Sequence, residues 1–414
     1  MLIFIGYQKV LKISYGLKEN PYLDNCYNAV FTSLLEQVIN QEVSLKKIKS
    51  FSYVHGLLKY PQWSKDSDIF SFIKKEHLEK IQDKKAFFIF DASTEGFSPI
   101  FDFPFFDVLY FNCEKYNIDP SMVIYVSSNL QDEKNIKDYC NHYNKKPINV
   151  FSFISFEKVV RVPTEIEIEE KHCKEQYQGK YFSSLSRVIR HYRSIATFLL
   201  CHDSIKEKAL ISHSAFSKNV NLEAWRLTHG LTDYTEKNIK RWFKSLPLVV
   251  DKENFEVNWA LENDYYPIHR QTLFQIVNET LVDNYKNTSL FYSEKTFRPM
   301  VCFQPFVIYG QKNANCHLKE IGYKTYEDWF DLSFDSEDDN ILRYKKLLAS
   351  IKESCRYLDS LSRDKQIEWR FKNREVLNHN YRNMCLSEYS RQKLISFLEN
   401  FNDSTNLKNQ QELL

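Results

Sequence analysis

Glycine is scarce in this chain, with 8 residues in 414. No G-x-G-x-x-G and no Walker A pattern occurs. That excludes the phosphate cradles in which small residues bring backbone amides against a ligand. Any phosphate must then be held by helix ends and cationic side chains. Charge of one sign is also lacking: the formal net charge is +2. The chain therefore has no global polybasic signature of a strongly nucleic-acid-binding domain, although local basic clusters remain possible. The 9 cysteines are scattered, with no C-x-x-C pair and no ligand-like spacing to histidine. They read as reduced thiols of a cytoplasmic protein. Long apolar runs are missing as well. The opening MLIFIGYQKVLKISYG puts a brief apolar run ahead of lysines, the wrong order for a secretory signal and too short to span a membrane. It is expected to form a first strand, and no membrane partner is expected.

What is present is an α/β rhythm rich in aromatics, with 32 Phe and 26 Tyr. Ala86–Asp91, Val123–Ser127 and Ile148–Phe153 are largely apolar runs separated by helical candidates around Pro104–Tyr116 and Glu133–Asn144. Strands alternating with helices at this spacing imply βαβ units and a parallel, doubly wound sheet. The Glu/Lys-rich stretch Arg161–Gly179 reads as a connecting loop. The rhythm then restarts, with strands at Lys180–Ser184, Ala209–Ser212, Phe274–Asn278 and Pro305–Tyr309 and a helix at Val188–His202. Helices follow at Asn340–Ser354, Ser362–Leu377 and Glu388–Phe401. The length suits two domains of ordinary size. The expectation is two Rossmann-like domains, residues 1–175 and 176–401, with a helical C-terminal end and a disordered tail at 402–414.

Two clusters suit an anionic ligand. Ser293 is a good N-cap, so the helix it opens presents free N–H groups at the positive end of its dipole. Lys295 in the first turn opposes that dipole unless an anion compensates it, and a phosphate is the obvious candidate. Glu294 beside it suits sugar hydroxyls. The run Gln304–Gly310 that follows has the look of a buried parallel strand whose C-terminal end faces a crevice. The second cluster is Arg187, Arg190, His191 and Arg193, after the strand at Lys180–Ser184. Arginine forks suit a diphosphate; a solvated basic face is the other reading.

Leu185–Arg193 (LSRVIRHYR), Glu279-Thr280, Ser293–Pro299 (SEKTFRP), Pro305-Phe306 and Gly322–Tyr326 (GYKTY) together resemble a family of glycosyltransferase-like proteins of large tailed phages. Members of that family typically show L-N-R-x-x-R-x-H-R, E-T, T-E-K-T-x-K-P, P-F and G-F-K-T-F in the same order. The match spans residues 95–378. More distantly, the Glu-Lys helix start resembles the donor motif of fucosyltransferases with the GT-B fold. The family's asparagine is Ser186 here and its histidine is Tyr192, while the arginines are retained. The resemblance implies a GT-B-like fold and a nucleoside-diphosphate sugar as donor substrate, with no cofactor. It also implies Glu294 on donor hydroxyls, Lys295 on the phosphates, and Arg187 and Arg190 on the diphosphate. A phage-encoded protein of this kind would work in the host cytoplasm.

An inverting transfer also needs a base for the acceptor hydroxyl, expected from the N-terminal domain. Asp91 and Glu95 both lie where the strand AFFIFD ends; Glu95, followed by Gly96, matches an E-G of the resembling family and is the first choice, with Asp91 the second and a capping role for Asp91 the plain alternative. Glu279, at another strand end, is expected to face the donor. The acidic run Asp335–Asp339 reads as a solvated loop, and no metal is assigned. The acceptor stays open between a hydroxymethylated base in phage DNA and a saccharide. Lys145-Lys146 and Lys237–Trp242 are the local basic segments that suit DNA. A non-catalytic binding module is the third reading, and the oligomeric state is unknown.

Overall fold

The computed structural model describes residues 13–14, 50–55, 64–93, 96–102, 104–158, 164–186, 188–216, 221–228, 230–250, 266–283 and 288–411. The chain divides into two compact units. The first comprises Met1–Ser155, Asn284–Phe291 and Ser387–Leu414, and the second Phe156–Asp283 and Tyr292–Leu386. Each is built on a parallel sheet, so the α/β class and the two Rossmann-like units expected from the sequence are both present.

The first unit runs β1 (Ile13–Ser14), β2 (Ser50–His55), α1 (Lys75–Gln82), β3 (Ala86–Ala92), α2 (Phe105–Lys115), β4 (Val123–Ser127), α3 (Asp132–Tyr143) and β5 (Asn149–Ser152). Its strands lie side by side in sequence order, all parallel. β3 (AFFIFDA) is buried along its whole length, as befits a parallel strand with neighbours on both edges and cover on both faces. Each such Phe contributes roughly 1.5–3 kcal/mol on burial. Helix α2 buries Phe106, Leu109, Tyr110 and Cys113 at helical spacing. The Tyr110 ring stacks on Tyr139 of α3 at 5.5 Å.

At the C-terminal end of β4 sits a buried polar knot. Ser127 donates to Asp132 Oδ2 at 2.6 Å, and the amides of Asn129 and Asn135 each donate to Asp132 Oδ1 at 2.8 Å. The same two amides donate to the Thr288 carbonyl at 2.8 and 2.7 Å, and Leu290 N–H donates to Asn129 Oδ1 at 2.9 Å. Residues 288–291 are thereby fastened to the first unit. Phe291 also explains Gly96, because a Cβ there would lie 2.1 Å from its ring Cγ.

Burial pushes the Asp132 carboxyl up to about 8, against the downward pull of Ser127 and Asn135. In the unfolded chain it returns to about 3.9, so the fold binds the proton more tightly than the unfolded state does. This contribution is whole below about pH 4 and is lost as pH rises toward 8. Asp132→Asn leaves this position uncharged at every pH, as the protonated acid is. Urea unfolding is expected to show wild type and variant close together near pH 4, with the variant more stable at pH 8. Parallel pH profiles for the two proteins would refute a proton on Asp132.

The second unit runs α4 (Ile166–Gln176), β6 (Lys180–Ser186), α5 (His191–Cys201), β7 (Ala209–His213), α6 (Leu222–Thr228), α7 (Glu236–Lys244), α8 (Tyr266–Gln271), β8 (Thr272–Asn278), α9 (Glu294–Val301), β9 (Phe306–Tyr309), α10 (Ala314–Glu320), α11 (Asn340–Asp359), α12 (Arg363–Arg370) and α13 (Arg374–Leu386). Its strand order is β7-β6-β8-β9, all parallel. From β6 the chain moves outward to β7, then crosses back to β8 and continues the other way. The winding reverses between β6 and β8, and a crevice opens at the C-terminal ends of two strands wherever that happens. The described strands of the first sheet have no such reversal.

Several elements differ from expectation. Arg161–Gly179 is no loop: α4 occupies most of it and packs with the second unit, which begins at Phe156 rather than 176. The helix expected from Val188 begins at His191, with Arg190 as its N-cap. The helix expected over Ser362–Leu377 is two, broken where Asn373 accepts from Val376 N–H at 3.2 Å to start α13. The last helix, α14 (Glu388–Gln411), runs through the segment expected to lack structure. It belongs to the first unit and puts Leu394 and Leu398 into that unit's core. The acidic run is not simply solvated. Asp335 is buried and accepts from Asn315 and Cys316 N–H, while Glu337 and Asp338 pair with Lys346 and Lys312 and Asp339 caps α11.

Candidate functional site

The reversal between β6 and β8 brings the predicted donor residues of the second unit to one sheet edge. Asn278, the last residue of β8, donates to Ser184 and Ser186 of β6 at 2.9 and 3.2 Å, locking the two strand ends together. The next residue, Glu279, is wholly buried. Its carboxylate accepts from Ser293 N–H (3.1 Å), Ser293 Oγ (2.6 Å), Thr296 Oγ1 (2.6 Å) and Thr280 N–H (2.9 Å). A side-chain anion of the chain itself thus docks on the first turn of α9, where dipole and orphan N–H groups favour one. Glu279 was expected to face the donor; the structure commits both of its oxygens to Ser293, Thr296 and Thr280. The close approach also involves Gly310 after β9, where a Cβ would meet the Glu279 Cβ at 3.3 Å.

Around this carboxylate stand the cations. Arg193, in the first turn of α5, is buried and donates from Nε to the Glu279 carbonyl at 3.0 Å and from Nη2 to Thr280 Oγ1 at 2.9 Å. Lys295 Nζ reaches the same Thr280 hydroxyl at 3.5 Å, along with Ser293 Oγ at 3.3 Å and Glu294 Oε1 at 2.7 Å. Arg298, one turn on, lies 3.8 Å from Glu294. Two like charges therefore converge on one hydroxyl. Burial drives the Lys295 ammonium below its ordinary range; Glu294 opposes this and Arg193 adds to it. For Glu294 burial pushes upward, but Lys295 and Arg298 outweigh it and hold the carboxyl down at about 2. The carboxylate is satisfied by its partners, whereas the ammonium remains under-compensated.

Arg190, the N-cap of α5, follows β6 closely, and among the described residues its buried Nε has no hydrogen-bond partner. A buried guanidinium donor left unpaired is costly and calls for an acceptor. Behind the site, buried Arg343 of α11 donates to the carbonyls of Val282, Gly310 and Glu337 at 3.1, 2.9 and 2.6 Å, fixing the loops after β8 and β9.

Of the predicted residues, Arg190, Arg193, Glu279, Ser293, Glu294 and Lys295 all lie in this one region of the second unit. Arg187 and Glu95 lie outside the described residues. Asp91 belongs to the first unit, is buried, and accepts from Ser93 N–H at 2.9 Å, the turn-capping geometry. Three contributors had no assigned role in the sequence reading: Thr280, Thr296 and Arg298. Their signal was present in the E-T and S-E-K-T-F-R-P segments. Nothing in the sequence near Arg343 announces its part. Among the described residues no group of His, Cys, Asp and Glu is placed to hold a metal ion, and no helix is long and apolar enough to cross a membrane.

No family model and no curated protein matches the chain. Among solved structures it is similar to an α,α-trehalose-phosphate synthase (UDP-forming) from Burkholderia vietnamiensis, at 11% identity and TM-score 0.44 over 91% of this chain and 78% of that one. It is also similar to an alpha-glucosyltransferase in complex with UDP-glucose and DNA containing an abasic site, at 11% identity and TM-score 0.42 over 94% and 98%. A third is a glycosyltransferase from Rickettsia africae, at 10% identity and TM-score 0.38 over 92% and 84%. The fold assignment rests on the chain's own two parallel sheets.

Proposed function

We propose that this chain is a glycosyltransferase of GT-B type that moves a sugar from a nucleoside-diphosphate sugar to an acceptor hydroxyl. The observation that carries the reading is the convergence of Arg193 and Lys295 on the Thr280 hydroxyl at the winding reversal of the second sheet. Like charges held together at a strand edge favour a further anion: Glu294 pairs with Lys295 at 2.7 Å, while both oxygens of Glu279 are committed to Ser293, Thr296 and Thr280. A diphosphate fits, bound by Lys295 and Arg190, with Arg187 supplied by the resemblance to the phage family. Glu294 is suited to donor hydroxyls. Positive charge fixed in advance stabilises a departing nucleoside diphosphate.

For transfer with inversion, Glu95 is proposed as the base. Asp91 is the weaker choice, because its carboxylate already shapes the turn at Ser93. The acceptor proposed first is a hydroxymethylated base in phage DNA, with a saccharide second.

Isothermal titration with UDP-glucose and related nucleotide sugars tests the donor site. Arg190→Ala is expected to weaken binding about tenfold to a hundredfold, the size of a hydrogen bond to a charged group. The melting temperature should stay put, because among the described residues the Arg190 side chain loses no hydrogen-bond partner. Unchanged affinity in the variant, or no binding to any nucleotide sugar by the wild type, would overturn the donor site.

A further inference from the structure

The sequence offers two basic segments, and the structure separates them. In the first unit, Lys145 pairs with Glu114, and Lys146 with Asp119 at 2.6 Å. Their charge is neutralised in place. In the second unit α7 behaves otherwise. Lys237, Arg241 and Lys244 are exposed, and among the described residues none has an ion-pair partner. Only Lys240 is paired, with Glu236 at 2.6 Å. Positions 237, 241 and 244 fall within about 60° of one another around a helix, so the three charges form one stripe.

The helix that presents them is rigidly mounted. A capping box at Thr235 and Asn238 fixes its start. Its apolar face is committed inward: Ile239 and Trp242 are buried, and the Trp242 ring lies 5.4 Å from Phe198 and 5.8 Å from Trp225. Helix-dipole complementarity accounts for cations in the last turn, Arg241 and Lys244, but not for Lys237 in the first.

We infer that α7 is a docking surface for the phosphate backbone of nucleic acid, read by charge and not by sequence. Phosphate binding needs only cations at the right density, and this face offers cations alone. Membrane attachment needs an inserted apolar face or a cluster of about 4–8 cations; the apolar face of α7 is buried in the protein and the stripe carries three. A protein interface would centre on an apolar or aromatic anchor, which the stripe lacks. The binding itself is independent of sugar transfer. Where it names the acceptor class as nucleic acid, it rests on the transferase reading above.

The test is a salt titration of the full chain on a mixed-sequence DNA duplex, comparing wild type with Lys237→Gln/Arg241→Gln/Lys244→Gln and with Lys365→Gln as a control. Lys365 is exposed and paired with Glu368 at 2.6 Å. The wild type is expected to bind with a negative slope of log K against log salt. The triple variant should bind more weakly with a slope shallower by about 2–3, since each phosphate left without its cation removes about 0.9. The control should match the wild type. UDP-sugar hydrolysis, run on the same samples, should be equal in all three. A triple variant that binds DNA like the wild type overturns the inference. So does loss of binding to polyglutamate with DNA binding intact, which would make the partner an acidic protein. Wild type that turns over donors but ignores DNA overturns this inference alone. Salt-sensitive DNA binding without donor binding supports it and removes the transferase reading.

Discussion

Glu279→Ala is expected to destabilise the second unit by about 3–5 kcal/mol, the usual consequence of removing one member of a buried charged network. Four donors from Ser293, Thr296 and Thr280 lose their acceptor at once, and the first turn of α9 loses the anion that complements its dipole. Lys295 and Arg193, already close together, would also lose the nearest negative charge after Glu294. For a domain of about 150–250 residues each kcal/mol shifts the midpoint by about 2–4 °C, so a fall of about 6–20 °C should be seen by thermal unfolding. Glu279→Gln separates charge from shape. The carboxamide keeps the volume but turns an N–H₂ toward either the Ser293 or the Thr280 amide, so most of the loss should remain. A Gln variant as stable as the wild type would mean that the carboxylate's charge is irrelevant.

Lys295→Ala is expected to weaken nucleotide-sugar binding by a hundredfold or more, beyond the effect at Arg190, because it removes an under-compensated charge that an anionic ligand would restore. The same substitution takes away the first charge holding Glu294 down. With its folded pKa depressed to about 2, Glu294 contributes stability that is present above about pH 4.5 and lost as pH falls toward 2. In the variant that depression shrinks. The stability gap between wild type and Lys295→Ala should therefore be widest near pH 7 and close in acid, a pattern that urea midpoints across pH can read. Titration with UDP-glucose gives the affinity. Unchanged donor affinity would remove Lys295 from the site whatever the stability profile shows.

The sequence made the strands legible where a strand is apolar on both faces. β3 and β4, with runs of Phe, Ile and Val, sit within a residue of their expected bounds. It misled at α4 for a physical reason. That helix buries Ile166, Glu169 and Cys173, an amphipathic spacing with a glutamate in the inward slot. Glu169 is tolerated there because Arg270 donates to it twice, at 2.9 and 2.6 Å, from 101 residues away. A non-local partner of that kind leaves no trace in the local pattern. The candidate site shows the same limit. Ser293 and Lys295 announced a helix start that wants an anion, and the cap is where it was expected. That Glu279 would supply part of the anion depends on a return of the chain that spacing does not reveal.

The split composition of the first unit bears on how the protein is made. Its sheet and the cores of α2 and α3 are synthesised early, but Leu394 and Leu398, two members of the same core, emerge only after the whole second unit has been translated. Domains ordinarily fold in the order in which they leave the ribosome. Here the N-terminal sheet waits with part of its apolar surface uncovered, and the unit begun first is finished last.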